Sequence, residues 1–303
     1  MVVSDKNLFQ YYTEEMNDGV LCDNTIISMF DGRLYHCGLA DRLRGISSVY
    51  HFCKTQSRGF KLNFIHPFEL TNYLIPNCYD WRINPDRIIY NLSLSKPITL
   101  FCDGKPNEIM RHRFFLERAC SSDKQIHIYS NTLCYDEYYY ADFHELFSIS
   151  SYLKNKLEPH LKELGMGYIS ASFRFCNLLG DFRDILTPLS DLEQTRLIQI
   201  MLNFVHSLEQ RHANKKILVT SDSHKFLDEA NKMSSVYTVP GPIKHLNSAF
   251  ITEQIDKTFV DFFLISKAEI AYTGYTSQMY RGAFAERAAL TGGVPFSPVY
   301  LDV

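Results

Sequence analysis

Residues 168–184 read YISASFRFCNLLGDFRD. The stretch opens with a period of two: Ile169, Ala171 and Phe173 fall on one side, Ser170, Ser172 and Arg174 on the other. That alternation predicts a strand. It is followed by a loop with Gly180 and two acids, Asp181 and Asp184. A strand that ends on an arginine and opens into an acidic loop is how an α/β domain presents an anion site at the carboxyl edge of its sheet. A buried strand whose Arg174 pairs with a nearby acid gives the same pattern, so the neighbouring segments have to decide.

Downstream the pattern is regular. Helical spacing with leucines at 153, 157, 161 and 164 precedes the strand, and Gly165 stops that helix. A long 3.6-period helix covers residues 191–212, KKILVTSDS is a strand, and KFLDEANKM is the next helix. VYTV and IAYTGY are strands on either side of the helix KTFVDFFLISKAE, and YTSQMYRGAFAERAALTG is a turn running into a helix that stops at Gly292-Gly293. Helix and strand thus alternate over residues 151–291, which predicts a doubly wound sheet.

Upstream, TIISMF and FKLNFIH are strands around a helix at 39–54, whose Leu39, Leu43, Ile46, Val49 and Tyr50 share a face. Gly38 stands at the loop-to-helix junction, where backbone N–H groups can bind an anion. Residues 66–85, punctuated by three prolines, predict loops and short turns. RIIYNLSL, ITLFCD and QIHIYSNT predict strands, and MRHRFFLERACSS a short helix. The aromatic and acidic segment YDEYYYADFHELF reads as a linker or an acceptor-facing loop.

The chain has 303 residues, enough for two domains at roughly 100–200 residues each. We place them at 1–150 and 151–303. Net charge is −3 with no polybasic run, so nucleic acid is not an expected partner. No signal-peptide core and no apolar window of membrane-spanning length occurs, which predicts a cytoplasmic protein. The eight cysteines are scattered without a C-x-x-C pair and read as reduced thiols rather than zinc ligands. The 19 tyrosines and 22 phenylalanines suit packing as well as sugar stacking.

Ligands of such sheets bind where strands end. Three strand ends are polar: Arg174 with Asn177 and Asp181; Thr220-Ser221-Asp222-Ser223; and Thr273 with Thr276-Ser277-Gln278. The last leads into a helix, whose free N–H groups would suit a phosphate. Asp222 could serve a purine edge or a ribose. Helix capping is the competing use of Asp222, Ser223 and Ser277. Dinucleotide, P-loop, serine-elbow and zinc-helix motifs are absent, and so is any Asp-x-Asp pair to hold a nucleotide sugar through a metal.

Three segments resemble the peptide motifs of the fucosyltransferase-like group, which includes α1,6-, α1,2- and protein O-fucosyltransferases. ISASFRF resembles its arginine-bearing strand and KILVTSDS its strand ending in Thr-Asp. FVDFFLISKAEIAYTGYTSQMYRGAFAE resembles its third motif, with Asp261, Ser266, Ser277, Gln278 and Arg281 at matching places. CGLADRLRGI resembles the Gly-rich loop and helix of these enzymes. The resemblance implies two facing Rossmann-like domains (GT-B type), with an acceptor-side amino-terminal domain and the nucleotide-sugar site in the carboxyl-terminal one. It also implies an inverting transfer of fucose from GDP-fucose to a glycan hydroxyl, without metal or cofactor. Arg174 would bind the β-phosphate, Asp222 the guanine, and Ser277 and Gln278 phosphate oxygens. Asn177, Thr220, Ser223, Thr276 and Arg281 would complete that side; Gly38, Leu39, Arg42 and Arg44 would face the donor from the other domain. The group's histidine or second arginine beside the key arginine is replaced by Phe173 and Phe175, which weakens the guanine assignment more than the phosphate one. A carboxylate must act as base; Asp181 and Asp41 are the candidates. A lipid-linked acceptor would bring the protein to the inner face of a membrane. The rival readings are another nucleotide sugar on the same fold, and nucleotide-sugar binding without turnover.

Overall fold

Period-two runs form parallel strands and 3.6-period runs cover them, in each of two units, Met1–Ser150 and Ser151–Val303. The structure is a computed structural model that describes residues 6–14, 25–101, 106–120, 124–132, 134–182, 184, 186–244, 246 and 251–302. Among the described residues no helix is long and apolar enough to cross a membrane.

The first unit contains β1 (Ile26–Phe30), α1 (Leu39–Thr55), β2 (Phe60–Phe64), β3 (Ser95–Leu100), α2 (Pro106–Ala119), β4 (Gln125–Ser130) and α3 (Tyr139–Leu146). Its sheet has the order β2-β1-β4-β3, all parallel. The two central strands, β1 and β4, are buried along their whole length, as a sheet with covered faces requires. Helix α1 approaches β4 closely at Gly45, where a Cβ would stand 2.4 Å from the Ser130 carbonyl oxygen; only glycine fits there.

Two expectations for this unit need correction. Residues 87–94 do not form a strand. Asn91 takes the Ser93 N–H on its side chain (2.8 Å) and the Ser95 hydroxyl on its carbonyl (2.8 Å), and such local bonding competes with a ladder; the strand starts at Ser95 instead. The aromatic segment 135–147 is not a linker. It forms a 3-10 turn (Asp136–Tyr138) and then α3, which buries Tyr139, Phe143 and Leu146 and holds Asp142 against His51 Nδ1 at 2.9 Å. Leu74–Pro76 and Phe147–Ile149 pair as a small antiparallel ribbon. Six described cysteines are unbridged, four of them buried; Cys22 and Cys102 lie outside the described residues.

The second unit contains α4 (Ser151–Leu164), β5 (Ile169–Phe173), α5 (Asp191–Arg211), β6 (Ile217–Ser221), α6 (His224–Ala230), β7 (Val236–Tyr237), α7 (Thr252–Ile265), β8 (Ala271–Tyr275), α8 (Phe284–Gly292) and β9 (Phe296–Tyr300). The parallel order is β9-β8-β5-β6-β7. The chain runs outward from β5 to β7, then returns to β8 on the other side of β5. The strand order therefore reverses between β5 and β8, the place where open α/β sheets bind ligands. Ile169, Ala171 and Phe173 share a buried cluster with Leu197, Met201, Val205 and Phe226. Each fully buried Ile, Leu, Val, Met or Phe among them contributes about 1.5–3 kcal/mol. The opposite face of β5 is covered too, so Ser172 turns its hydroxyl to Thr220 Oγ1 at 2.7 Å. A Ser190–Glu193 capping box starts α5. β9 is an element beyond those expected from the sequence; its Pro298 cannot donate to a ladder, and an edge strand tolerates that.

Candidate functional site

Arg174 is the first residue beyond β5, at the reversal point of the second sheet. Its guanidinium forks between two carboxylates. Nη1 stands 3.1 Å from Asp222 Oδ2, and Nη2 donates to Asp184 Oδ2. The Phe182 ring lies 5.1 Å beneath the guanidinium carbon. The stem lies against Gly282 of the loop after β8, where a Cβ would stand 3.4 Å from Arg174 Cγ. The strand end of β5 thus meets the loop of β8, and the side chain keeps 29% of its surface exposed. Burial pulls the guanidinium pKa down while Asp222, the Cys176 thiol and Asp184 push it up; the balance is upward, so the cation is permanent. Arg174 is thus paired with acids and stands at the carboxyl edge of the sheet.

Asp222 is engaged within the protein at both carboxylate oxygens. Its Oδ1 accepts the Phe175 N–H (2.8 Å) and its Oδ2 the Cys176 N–H (2.7 Å). With Arg174 on the same carboxylate, Asp222 clamps the backbone turn after β5, where Cys176 adopts φ 54. Only 7% of the residue is exposed. Burial pushes its carboxyl up to about 6, against the pull of Arg174 and the two N–H groups. Asp222 thus ties Arg174 to the turn after β5.

The loop after β8 corrects another expectation. Ser277 is not at a helix amino terminus, because α8 begins at Phe284. Thr276 instead closes a turn: its carbonyl accepts the Met279 N–H (3.2 Å) and its hydroxyl accepts the Gln278 N–H (3.3 Å). Ser277, Gln278 and Arg281 are exposed on this loop, beside the Gly282 that carries Arg174. Arg281 lies 3.5 Å from Glu286. This loop offers exposed side chains and turn N–H groups, without a helix dipole.

Asp181 turns away from Arg174. Its Oδ2 accepts the Ser223 hydroxyl (2.8 Å) and the Lys225 N–H (2.9 Å), while Ser223 Oγ accepts the Phe226 N–H (3.2 Å). Together they cap α6. The structure therefore gives the first base candidate a structural task. Thr220 is bonded to Ser172, and Asn177 lends its carbonyl to the Gly180 N–H (2.9 Å).

Elsewhere at this edge, Lys257 Nζ donates to Asp261 Oδ2 (2.9 Å) and to Val239 O (2.9 Å), just past β7. Asp261 Oδ1 is buried and accepts no hydrogen bond among the described residues. Burial raises the Asp261 carboxyl pKa. In the sequence Asp261 stands out only within the third motif and Asp184 only within the acidic loop; neither has a local signal that separates it from a surface acid.

In the first unit, Gly38 stands before α1 with open space where a side chain would be. Leu39 is buried in the core. Arg42, expected to face a donor, is 1% exposed; its Nε donates to Cys37 O (3.0 Å) and Nη1 to His66 O (2.7 Å). Burial pulls its pKa down to about 10. It is a structural cation. Arg44 donates to Asn131 O (2.7 Å) and pairs with Asp41 at 3.1 Å, which also commits the second base candidate. Among the described residues no three His, Cys, Asp or Glu side chains converge as a metal site.

No protein-family model and no curated protein matches the chain. Solved structures do match its fold. Fucosyltransferase NodZ from Bradyrhizobium superposes with TM-score 0.56 at 14% identity, covering 87% of this chain and 91% of that one. FUT1 of Arabidopsis thaliana, solved with GDP, gives 0.57 at 12%, covering 98% and 74%. POFUT1 in complex with GDP gives 0.52 at 11%, covering 92% and 98%. The chain thus has the fold of fucosyltransferase structures, the group that its motifs resemble.

Proposed function

We propose that the chain is a glycosyltransferase that moves fucose from GDP-fucose to a glycan hydroxyl with inversion. The observation that carries this is Arg174: a permanent, partly exposed cation held by Asp222 at the strand-order reversal of the second sheet. NodZ, of the same fold, was solved soaked with GDP-fucose, and POFUT1 with GDP. In the proposed reaction the glycosidic bond to the diphosphate breaks as the acceptor oxygen bonds the anomeric carbon from the opposite face; the departing GDP keeps the bonding pair and the acceptor hydroxyl gives up its proton to solvent. Charge gathers on the departing diphosphate through an oxocarbenium-like state. Arg174 meets that charge, and a fixed cation in a partly dry site costs no reorganisation at that moment. The diphosphate takes the place of Asp184 on Nη2, and Ser277 and Gln278 complete the phosphate cradle. Asp261 Oδ1, a buried acceptor without a partner among the described residues, suits the N–H donors of a guanine edge better than Asp222 does.

A second reading, nucleotide-sugar binding without turnover, is favoured by one observation: Asp181 and Asp41 are each committed to another group. A single assay separates the two. GDP release from GDP-fucose is measured with a pool of oligosaccharide acceptors. Acceptor-dependent release supports transfer. Tight GDP binding with no release above buffer hydrolysis overturns it.

A further inference from the structure

Three described residues other than glycine have positive φ: Ser57 (52), Cys176 (54) and Asn214 (66). Ser57 and Asn214 are exposed and lie just past the ends of α1 and α5, where a left-handed residue commonly closes a helix. Cys176 is different. It is 2% exposed and sits two residues beyond Arg174, at the carboxyl edge of the second sheet. A Cβ disfavours this conformation, and Gly180 supplies it for a later turn of the same loop (φ 75). Backbone outliers of this kind cluster at functional sites.

The left-handed turn has two consequences. The Phe175 and Cys176 N–H groups both donate to the Asp222 carboxylate (2.8 and 2.7 Å). The thiol folds back beside Arg174, within hydrogen-bonding reach of the guanidinium. Arginine has no acceptor, so a guanidinium N–H donates and the sulfur accepts.

A neutral acceptor suits this place. Arg174 already faces Asp222 on Nη1 and Asp184 on Nη2. A third carboxylate would offset more of the charge that an incoming anion meets. Burial pushes the Cys176 thiol up to about 11, so near pH 7 it is uncharged and holds the guanidinium without cancelling it. The hold matters most when a diphosphate has replaced Asp184, because Asp222 and the thiol then keep the guanidinium aimed.

We infer that Cys176 is a positioning residue: its thiol holds the Arg174 guanidinium where the donor diphosphate meets it, and the left-handed backbone at 176 is the strain accepted to place it there. The effect on GDP rests on the donor reading of Arg174; the restraint itself does not.

The test uses two variants of the full chain. Cys176→Gly keeps the left-handed turn and removes the thiol. Cys176→Ser puts a neutral acceptor back on the same backbone. Cys176→Ala, which also lacks sulfur, stands in should the glycine variant melt below the assay temperature. Phenylglyoxal labelling of Arg174, resolved by peptide mass spectrometry, reports how firmly the guanidinium is held and needs no nucleotide. The buried Arg287 of the same unit is the control for loosening of the whole unit. GDP affinity is measured by calorimetry. Without the thiol, Arg174 should label about threefold faster with Arg287 unchanged, and GDP should bind about three- to tenfold more weakly, as expected for one lost hydrogen bond. The serine variant should return both values toward wild type. Wild-type labelling in the glycine variant, faster labelling of Arg287 alongside Arg174, or a serine variant labelled as fast as the glycine one overturns the inference. Failure of the wild type to bind GDP sinks the donor reading, and the labelling still decides the restraint.

Discussion

The Asp222 clamp makes stability depend on pH in a direction opposite to that of most paired carboxylates. Burial lifts its carboxyl from the ordinary 3.8 to about 6 in the folded chain. The folded state then holds a proton that the unfolded state has already lost, so stability from this group is full below pH ~4 and falls as pH rises through about 6. An upward move of about two pH units corresponds to roughly 3 kcal/mol at ~1.36 kcal/mol per unit. About half of that loss falls between pH 5 and 8. Asp222→Asn carries no titrating proton, keeps one acceptor for the turn, and leaves Arg174 with Asp184. The measurement is urea unfolding of both proteins from pH 5 to 8, taken as a difference so that other carboxylates cancel. The variant should gain on the wild type by about 1.5 kcal/mol across that range, or roughly 3–6 °C in Tm for a unit of this size. A pH-independent difference would refute the reasoning, because it would mean that Asp222 is ionised throughout and that its burial is compensated.

Asp181→Ala should cost about 1 kcal/mol by uncapping α6 and change turnover less than threefold; a drop of about 100-fold would instead make Asp181 the base. Asp184→Asn removes the carboxylate that competes with a diphosphate for Arg174 Nη2, so the KM for GDP-fucose should fall severalfold, and a rise in KM would show that Asp184 supports the donor site.

The strands and helices of the second unit were legible because their signals are local: period two in Ile169–Phe173, period 3.6 in Asp191–Arg211. So was the placement of Arg174, which follows from where its strand ends. Its partners were not. Asp222 is reached only because β6 lies beside β5, and nothing near residue 222 encodes that. Arg42 reads as lying off the apolar face of α1, yet it is buried because that helix is covered nearly all round. The start of α8 escaped because Thr276 spends its own hydroxyl and carbonyl on a turn, a choice that the string TSQMYRG does not announce. Residues 87–94 have strand composition, but Asn91 bonds its own neighbours. In each case a side chain chose a partner that periodicity does not describe.

The central claim is that a guanosine diphosphate sits on Arg174. Calorimetric titration of wild type and Arg174→Lys with GDP, with UDP as control, tests it most directly. A lysine cannot fork between the Asp222 carboxylate and a phosphate. The account predicts GDP binding that weakens by about 100-fold in the variant, roughly 2.7 kcal/mol, with UDP weak throughout. Equal GDP affinity in both proteins, or tighter binding of UDP than of GDP by the wild type, would contradict it.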